Sequence, residues 1–321
     1  MSISGSPSLH VKKSVDDFKD IPTHLISSDY AGALKPSAWE EELPSDIDGY
    51  DVLMDGIRNG FKLVNKDGYQ EVEQENYRSA TSADNRDAVE KQILTEIQEG
   101  RYVVVQCKPT IVSALGAVDK TSGEKRIIHD ASRPEGKSLK SFAEQETKLT
   151  FETIANAESM LQADYYMAKV DLKKAYRSVL LHPSQYQLTG LKWTFTGDKT
   201  ATYLVDARLP FGARLSVEIF HNLTKSIKVM MRTKGFDGLV VYLDDFLIIE
   251  PTKERCEQAL TTLLQLLRKL GFSIAWDKVT GPTKVLTFLG VELDSNKMEM
   301  RLPKDKLIEF QCVLDTFLAR S

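Results

Sequence analysis

The sequence predicts a mixed α/β (α+β) protein, and three observations carry that expectation. Short apolar runs of strand length, such as 165–172 and 239–250, alternate with longer segments whose apolar residues recur every three or four positions. Glycine-containing turns separate neighbouring strand-like runs, the mark of antiparallel hairpins. Hydrophobic residues make up 42% of the 321 positions and charged ones 27%, the balance of a globular chain with core enough for two or three subdomains.

The elements follow in chain order. Residues 1–35 are rich in Ser, Asp and Lys without periodicity and read as loosely attached. Trp39 to Asn65 mixes acidic and apolar residues around Gly49, Gly56 and Gly60, which suits short helices. From Asn85 to Glu99 a helix is predicted, with Val89, Ile93 and Ile97 on one face and Gly100 ending it. "RYVVVQCKPTIVSALGAV" is strand-like and runs through "DKTSGEK" into "RIIHD", a hairpin. "YYMAKVDL" is a strand, with a helix beginning at "KKAY". "ARLSVEIFHNLTKSIKVMMRTKG" is a helix stopped by Gly235, and "GLVVYLDDFLIIE" a hairpin. Thr252 caps the next helix, whose stripe is Cys256, Leu260, Leu263, Leu264, Leu267 and Leu270, ended by Gly271. "VLTFLGVELD" adds a last strand pair, and a helix begins in "PKDKLIEFQCVLDTFLARS".

Composition excludes several classes of function. No apolar run approaches the ~20 residues of a membrane span, and the N-terminal stretch lacks the apolar core of a signal peptide. Cys107, Cys256 and Cys312 are odd in number and far apart, so neither a disulfide framework nor a zinc site is expected, and the expected setting is intracellular, cytoplasmic or nuclear. Net charge is −4, but residues 1–100 hold 10 Lys and Arg against 20 Asp and Glu, and the rest hold 32 against 26. The larger part is mildly basic, compatible with a polyanionic partner. No GxxxxGK[ST], GxGxxG, GxSxG or HExxH motif occurs, and the five histidines show no ligand spacing. Carboxylates are the candidate catalytic groups.

Asp244 and Asp245 interrupt an apolar run, where an unpaired charge is costly. A tight turn would lift both to a hairpin tip, where a cation could hold them. An acidic turn without chemistry explains that pair alone equally well. Asp171, at the end of "MAKVDL", supplies a third carboxylate. Three aspartates from two strand ends suit two magnesium ions about 4 Å apart, which activate a hydroxyl for phosphoryl transfer with no His or Cys required.

"VVYLDDFLII" resembles the YxDD motif of reverse transcriptases, and "KVDLKKAYRSVLLHP" is similar to their first palm motif. "LPFGARLSVEIF" resembles their LPxG segment, "FLGVELD" the primer-grip hairpin, and "ALGAVDKTSGEKRIIHDASRP" the fingers hairpin. The five occur in the family's order across residues 85–300. "NRDAVEKQILTEIQEGRY", "SALGAV" and "LPFGARLS" are most similar to the DIRS-like retrotransposons that encode tyrosine recombinases.

The resemblance implies a right-hand polymerase: an N-terminal accessory segment at 1–80, fingers and palm at 81–300, and at 301–321 the start of a thumb. It implies an RNA-directed DNA polymerase that extends a primer on an RNA or DNA template with dNTPs, using two Mg2+ ions or Mn2+ in their place. Asp171 and Asp244, with Asp245 and the carbonyl of Leu172, would be the metal ligands. Lys120 and Arg126 would hold the triphosphate, Phe211 and Gly212 line the nucleotide pocket, and Lys278 protonate the leaving pyrophosphate. Phe288, Leu289 and Gly290 would support the primer end. Tyr176 stands where RNA polymerases of this shape carry an aspartate for the 2′-hydroxyl, so deoxynucleotides are expected. Val217 and Glu218 depart from the proline the family commonly places after Ser216. The alternative is an inactive remnant that binds nucleic acid or a protein without catalysis. Oligomeric state is not legible.

Overall fold

The computed structural model describes residues 33–64, 69–119, 125–142, 149–210 and 214–318. Helices α1 (Pro36–Glu42) and α2 (Tyr50–Asn59) precede strand β1 (Val72–Glu73). Then come α3 (Arg78–Thr81), α4 (Ala83–Gln98), β2 (Tyr102–Val105), β3 (Ile111–Val112), β4 (Ala114–Asp119) and β5 (Lys125–Asp130). Short helices α5 (Leu139–Phe142) and α6 (Ile154–Met160) lead to β6 (Tyr166–Asp171), β7 (Gly190–Trp193) and β8 (Thr202–Asp206). Helix α7 (Arg214–Thr233), strands β9 (Leu239–Tyr242) and β10 (Asp245–Glu250), and helix α8 (Lys253–Leu270) follow. Strands β11 (Thr280–Thr283), β12 (Val285–Phe288), β13 (Val291–Asp294) and β14 (Glu299–Arg301) and helix α9 (Lys304–Leu318) complete the order.

The chain forms two compact units, each assembled from separated stretches. One draws chiefly on 55–146 and 176–216. It holds a five-stranded sheet in the order β1-β3-β7-β8-β2 and the β4–β5 hairpin. Val89 and Ile93 of α4 pack with Leu115, Ile127, Leu191, Trp193 and Leu204 in its core. In the same unit Arg177 bonds Glu96 and Asp206, and Arg101 bonds Glu96, all four buried.

The other unit draws on 34–54, 147–175 and 217–321. Its main sheet is antiparallel, β11-β6-β10-β9, and a smaller sheet is β12-β13-β14. Helix α8 packs on β6 and β10. Thr252 accepts a hydrogen bond from Arg255 N at its start, and Gly271, at φ 101°, closes its end in the left-handed conformation. Trp39 of α1 is fully buried and donates its indole N–H to the Leu270 carbonyl at 3.2 Å.

Several local expectations need correction. Residues 33 and 34 are buried and Lys35 N donates to Leu270 O, so the end of the 1–35 stretch is tied down; 1–32 lie outside the described residues. No α-helix starts at 173–176. Lys174 takes φ 54°, which breaks a right-handed helix before it begins, and Ala175–Ser178 form one turn of 3-10 helix. The 101–118 run is three strands; the break between β2 and β3 spans Pro109, which lacks an N–H for the ladder, and β4 follows β3 after Ser113. On α8, Ala259 and Leu266 are buried and Leu264 only half so, which turns the apolar face slightly from the predicted stripe. The three cysteines are free, and no helix among the described residues is long and apolar enough to cross a membrane.

Candidate active site

The acidic hairpin of the sequence closes on a two-residue turn. Tyr242 pairs with Asp245, leaving Leu243 and Asp244 between them, and Leu243 takes φ 51°. A left-handed first turn residue matches the twist of a tight hairpin, a place usually given to glycine. Asp244 therefore lies in the turn, as expected. Asp245 differs from expectation, since it is the first residue of the ladder and not part of the tip.

Strand β6 brings in the third carboxylate. Asp171 is the cross-strand partner of Asp245, so the two share one face at the same end of the sheet. The chain beyond Asp171 is fixed by backbone bonds: Leu172 N donates to Asp244 O at 3.1 Å, and Ala275 N to Asp171 O at 2.9 Å. Leu172 is itself buried. Lys278, in the 3-10 turn Trp276–Lys278, donates its ammonium to Asp171 Oδ2 at 3.0 Å, which raises its pKa.

The electrostatics at this corner are unbalanced. Burial first, then the charges of Asp244 and Asp171, push Asp245 up to about 6, against the smaller opposing influence of Lys169 and Lys278. Like charges crowded in a half-buried corner disfavour ionisation unless a cation joins them. Among the described residues, no three His, Cys, Asp or Glu side chains gather closely enough to enclose a metal. The arrangement is a carboxylate pair with a third coupled to it, one oxygen already engaged by a lysine. A divalent cation fits that excess of negative charge.

Two features that hold the turn left no trace in the sequence. Glu152 accepts a hydrogen bond from Val241 N at 2.7 Å and pairs with Lys228. Tyr242 packs against Phe151, which in turn contacts His221 edge-on. Glu152 lies far from Val241 in sequence, and no local pattern could have announced the contact.

The remaining predicted residues fall as follows. Arg126 is exposed on β5, opposite Val118. Tyr176 is 9% exposed. Lys120, Phe211 and Gly212 lie outside the described residues. Leu289 and Gly290, at φ 47° and 78°, form the two-residue turn of the β12–β13 hairpin. Phe288 is fully buried with Met167, Leu247 and Ile249, which lie farther along the carboxylate face of β6 and β10. Phe288 is therefore closed to a ligand, while Gly290 of the turn is exposed.

The reverse transcriptase (RNA-dependent DNA polymerase) family matches residues 123–293, more than half the chain. The chain is 30% identical over 144 residues to the Gag-Pol polyprotein of gibbon ape leukemia virus, covering 44% of this chain and 8% of that polyprotein. Over 195 residues it is 24% identical to Protein P of a duck hepatitis B virus, 59% of this chain and 22% of that protein. The chain thus spans a small fraction of these relatives. In fold it resembles the foamy viral protease-reverse transcriptase solved with double-stranded DNA, with TM-score 0.62 at 14% identity, over 77% of this chain and 39% of that one. The same protein with an RNA/DNA hybrid gives TM-score 0.62 at 13% identity, over 78% and 30%.

Proposed function

The chain belongs to the reverse transcriptase (RNA-dependent DNA polymerase) family, and from that premise we propose that it synthesises DNA on an RNA template by adding dNTPs to a primer 3′-hydroxyl. The observation that carries the reading is the β6–β10 register, with Asp171 opposite Asp245 beside the turn that holds Asp244. Drawn closer together than they stand here, these three carboxylates and the Leu172 carbonyl would hold two divalent cations, Mg2+ or Mn2+. When bound, such ions activate the attacking hydroxyl and neutralise charge on the transferred phosphoryl group.

The chain's own groups supply binding, orientation and proton transfer. Lys120 and Arg126 hold the β- and γ-phosphates, Arg126 as a fork and Lys120 as a point charge. Lys278 gives its proton to the departing pyrophosphate. Phe211 and Gly212 line the nucleotide pocket, where a glycine lets the backbone approach. Tyr176 blocks the 2′-hydroxyl of a ribonucleotide. Leu289 and Gly290 meet the primer end, with Phe288 anchoring them from the core.

Within the family we assign the chain to the DIRS-like group, on the wording of 85–102, "SALGAV" and "LPFGARLS". Its partners are a primer-template and dNTPs, a reading supported by foamy viral relatives solved with DNA and with RNA/DNA hybrid. It works inside the cell, in cytoplasm or nucleus. The test is primer extension on an RNA template with Mg2+ and dNTPs. A folded protein that binds primer-template yet extends nothing would establish the binding-only remnant instead.

A further inference from the structure

We propose that Lys169 is a primer-binding residue whose ammonium pairs with a backbone phosphodiester of the primer near its 3′ end. The inference rests on the polymerase reading above. Lys169 stands in the middle of β6, opposite Leu247 of β10 and Thr280 of β11. Side chains two apart on a strand share a face, so Lys169 is on the face of Asp171 and, through the register, of Asp245. The next residue along that face, Met167, already belongs to the core cluster with Leu286 and Phe288 of the β12–β13 hairpin. A cation is therefore set between the carboxylates and the hairpin that supports the primer.

Two explanations compete for a lysine on an inner strand. Its stem can cover apolar surface while the amine reaches water, or the amine can have a ligand. The carboxylates already possess a bonded counter-ion, because Lys278 donates to Asp171 Oδ2 at 3.0 Å. Lys169 is half-buried, and its side chain makes no hydrogen bond or ion pair with any described residue. The amine thus has no acceptor within the protein, and a phosphate oxygen would supply one on binding. Backbone phosphates recur at every nucleotide and need no sequence to be read, which suits a mobile point charge.

The test measures binding of primer-template to the full chain by fluorescence anisotropy, with single neutral methylphosphonate linkages placed at successive primer positions. Wild type should lose roughly tenfold in affinity at one linkage near the 3′ end, the worth of one hydrogen bond to a charged group. Lys169→Met retains the apolar stem; it should lose a similar factor on unmodified primer and nothing further at that linkage. Lys169→Arg should recover most of the loss. If Lys169→Met still loses affinity at every linkage that weakens wild type, the contact is refuted. A raised KM for dNTP with primer affinity intact would also refute it, assigning the amine to the triphosphate. Extension by wild type is followed in parallel. Extension without the linkage effect removes this proposal and leaves the polymerase reading; the linkage effect without extension does the reverse.

Discussion

At the scale of single residues, what could be read depended on whether a side chain contradicts its surroundings. Asp171, Asp244 and Asp245 were legible because a carboxylate in an apolar run needs a reason. Lys169 was not, because a lone lysine in a strand looks like an ordinary exposed position, and only the register reveals the face it shares. Leu243 at φ 51° was equally hidden, since no rule of propensity puts leucine there. Asp244→Asn should reduce single-nucleotide incorporation on the order of 100-fold or more with the fold unchanged by circular dichroism, because it withdraws charge where the transition state needs it. Incorporation within tenfold of wild type would remove Asp244 from the site. Tyr176→Val should raise ribonucleotide use far more than it lowers deoxynucleotide use, since discrimination by a clash disappears with the ring. An unchanged dNTP to rNTP efficiency ratio would leave Tyr176, 9% exposed, as a packing residue.

At the scale of elements, periodicity carried well where one face is buried. The α8 stripe and both its ends were readable, and so were the strands on either side of the acidic turn. The failures came where the backbone departs from regular geometry, at Lys174 and around Pro109, because side-chain pattern says little about a single reversed φ. One glycine ties the acidic hairpin to its own base. Gly238 O accepts from Ile249 N at 2.7 Å, and a Cβ at 238 would collide with the Ile249 carbonyl oxygen, with Glu250 Oε1 only 3.2 Å away. The obstacle is backbone on the partner strand, which cannot swing aside as a flexible side chain would. Gly238→Ala should therefore cost about 1–3 kcal/mol and lower the melting temperature by several degrees. Gly281→Ala, with nothing within 4 Å of the added carbon, is the control. Equal melting temperatures for the two variants would mean that the β9–β10 end relaxes freely.

At the scale of the whole molecule, the order of elements was legible and their assembly was not. Each unit is made of stretches interrupted by segments of the other, and a reading that moves along the chain has no means of joining 55–146 to 176–216 across 147–175. The buried ion network of the first unit shows why. Glu96 lies in the last turn of α4, Arg177 lies in a 3-10 turn and Asp206 ends a strand, and none is unusual in its local sequence. Together they are 7%, 9% and 1% exposed, with Arg177 bonding Asp206 at 2.7 Å and Glu96 at 2.9 Å. Burial alone would raise the Glu96 carboxyl, but the hydrogen bond from Arg101 and the charges of Arg177 and Arg101 overrule it and hold the pKa at about 2. An unfolded glutamate, near 4.5, binds its proton more readily, so acid favours unfolding. The stabilisation, about 3 kcal/mol on this difference, is whole above pH 4.5 and fades as pH falls toward 2. Glu96→Gln keeps the shape and removes the charge, leaving Arg177 and Arg101 short of a counter-ion. Its melting temperature should lie well below wild type at pH 7, and the gap should narrow steadily between pH 4.5 and 2. A gap that stays constant across that window would show that Glu96 stabilises the unit by packing and not by its charge.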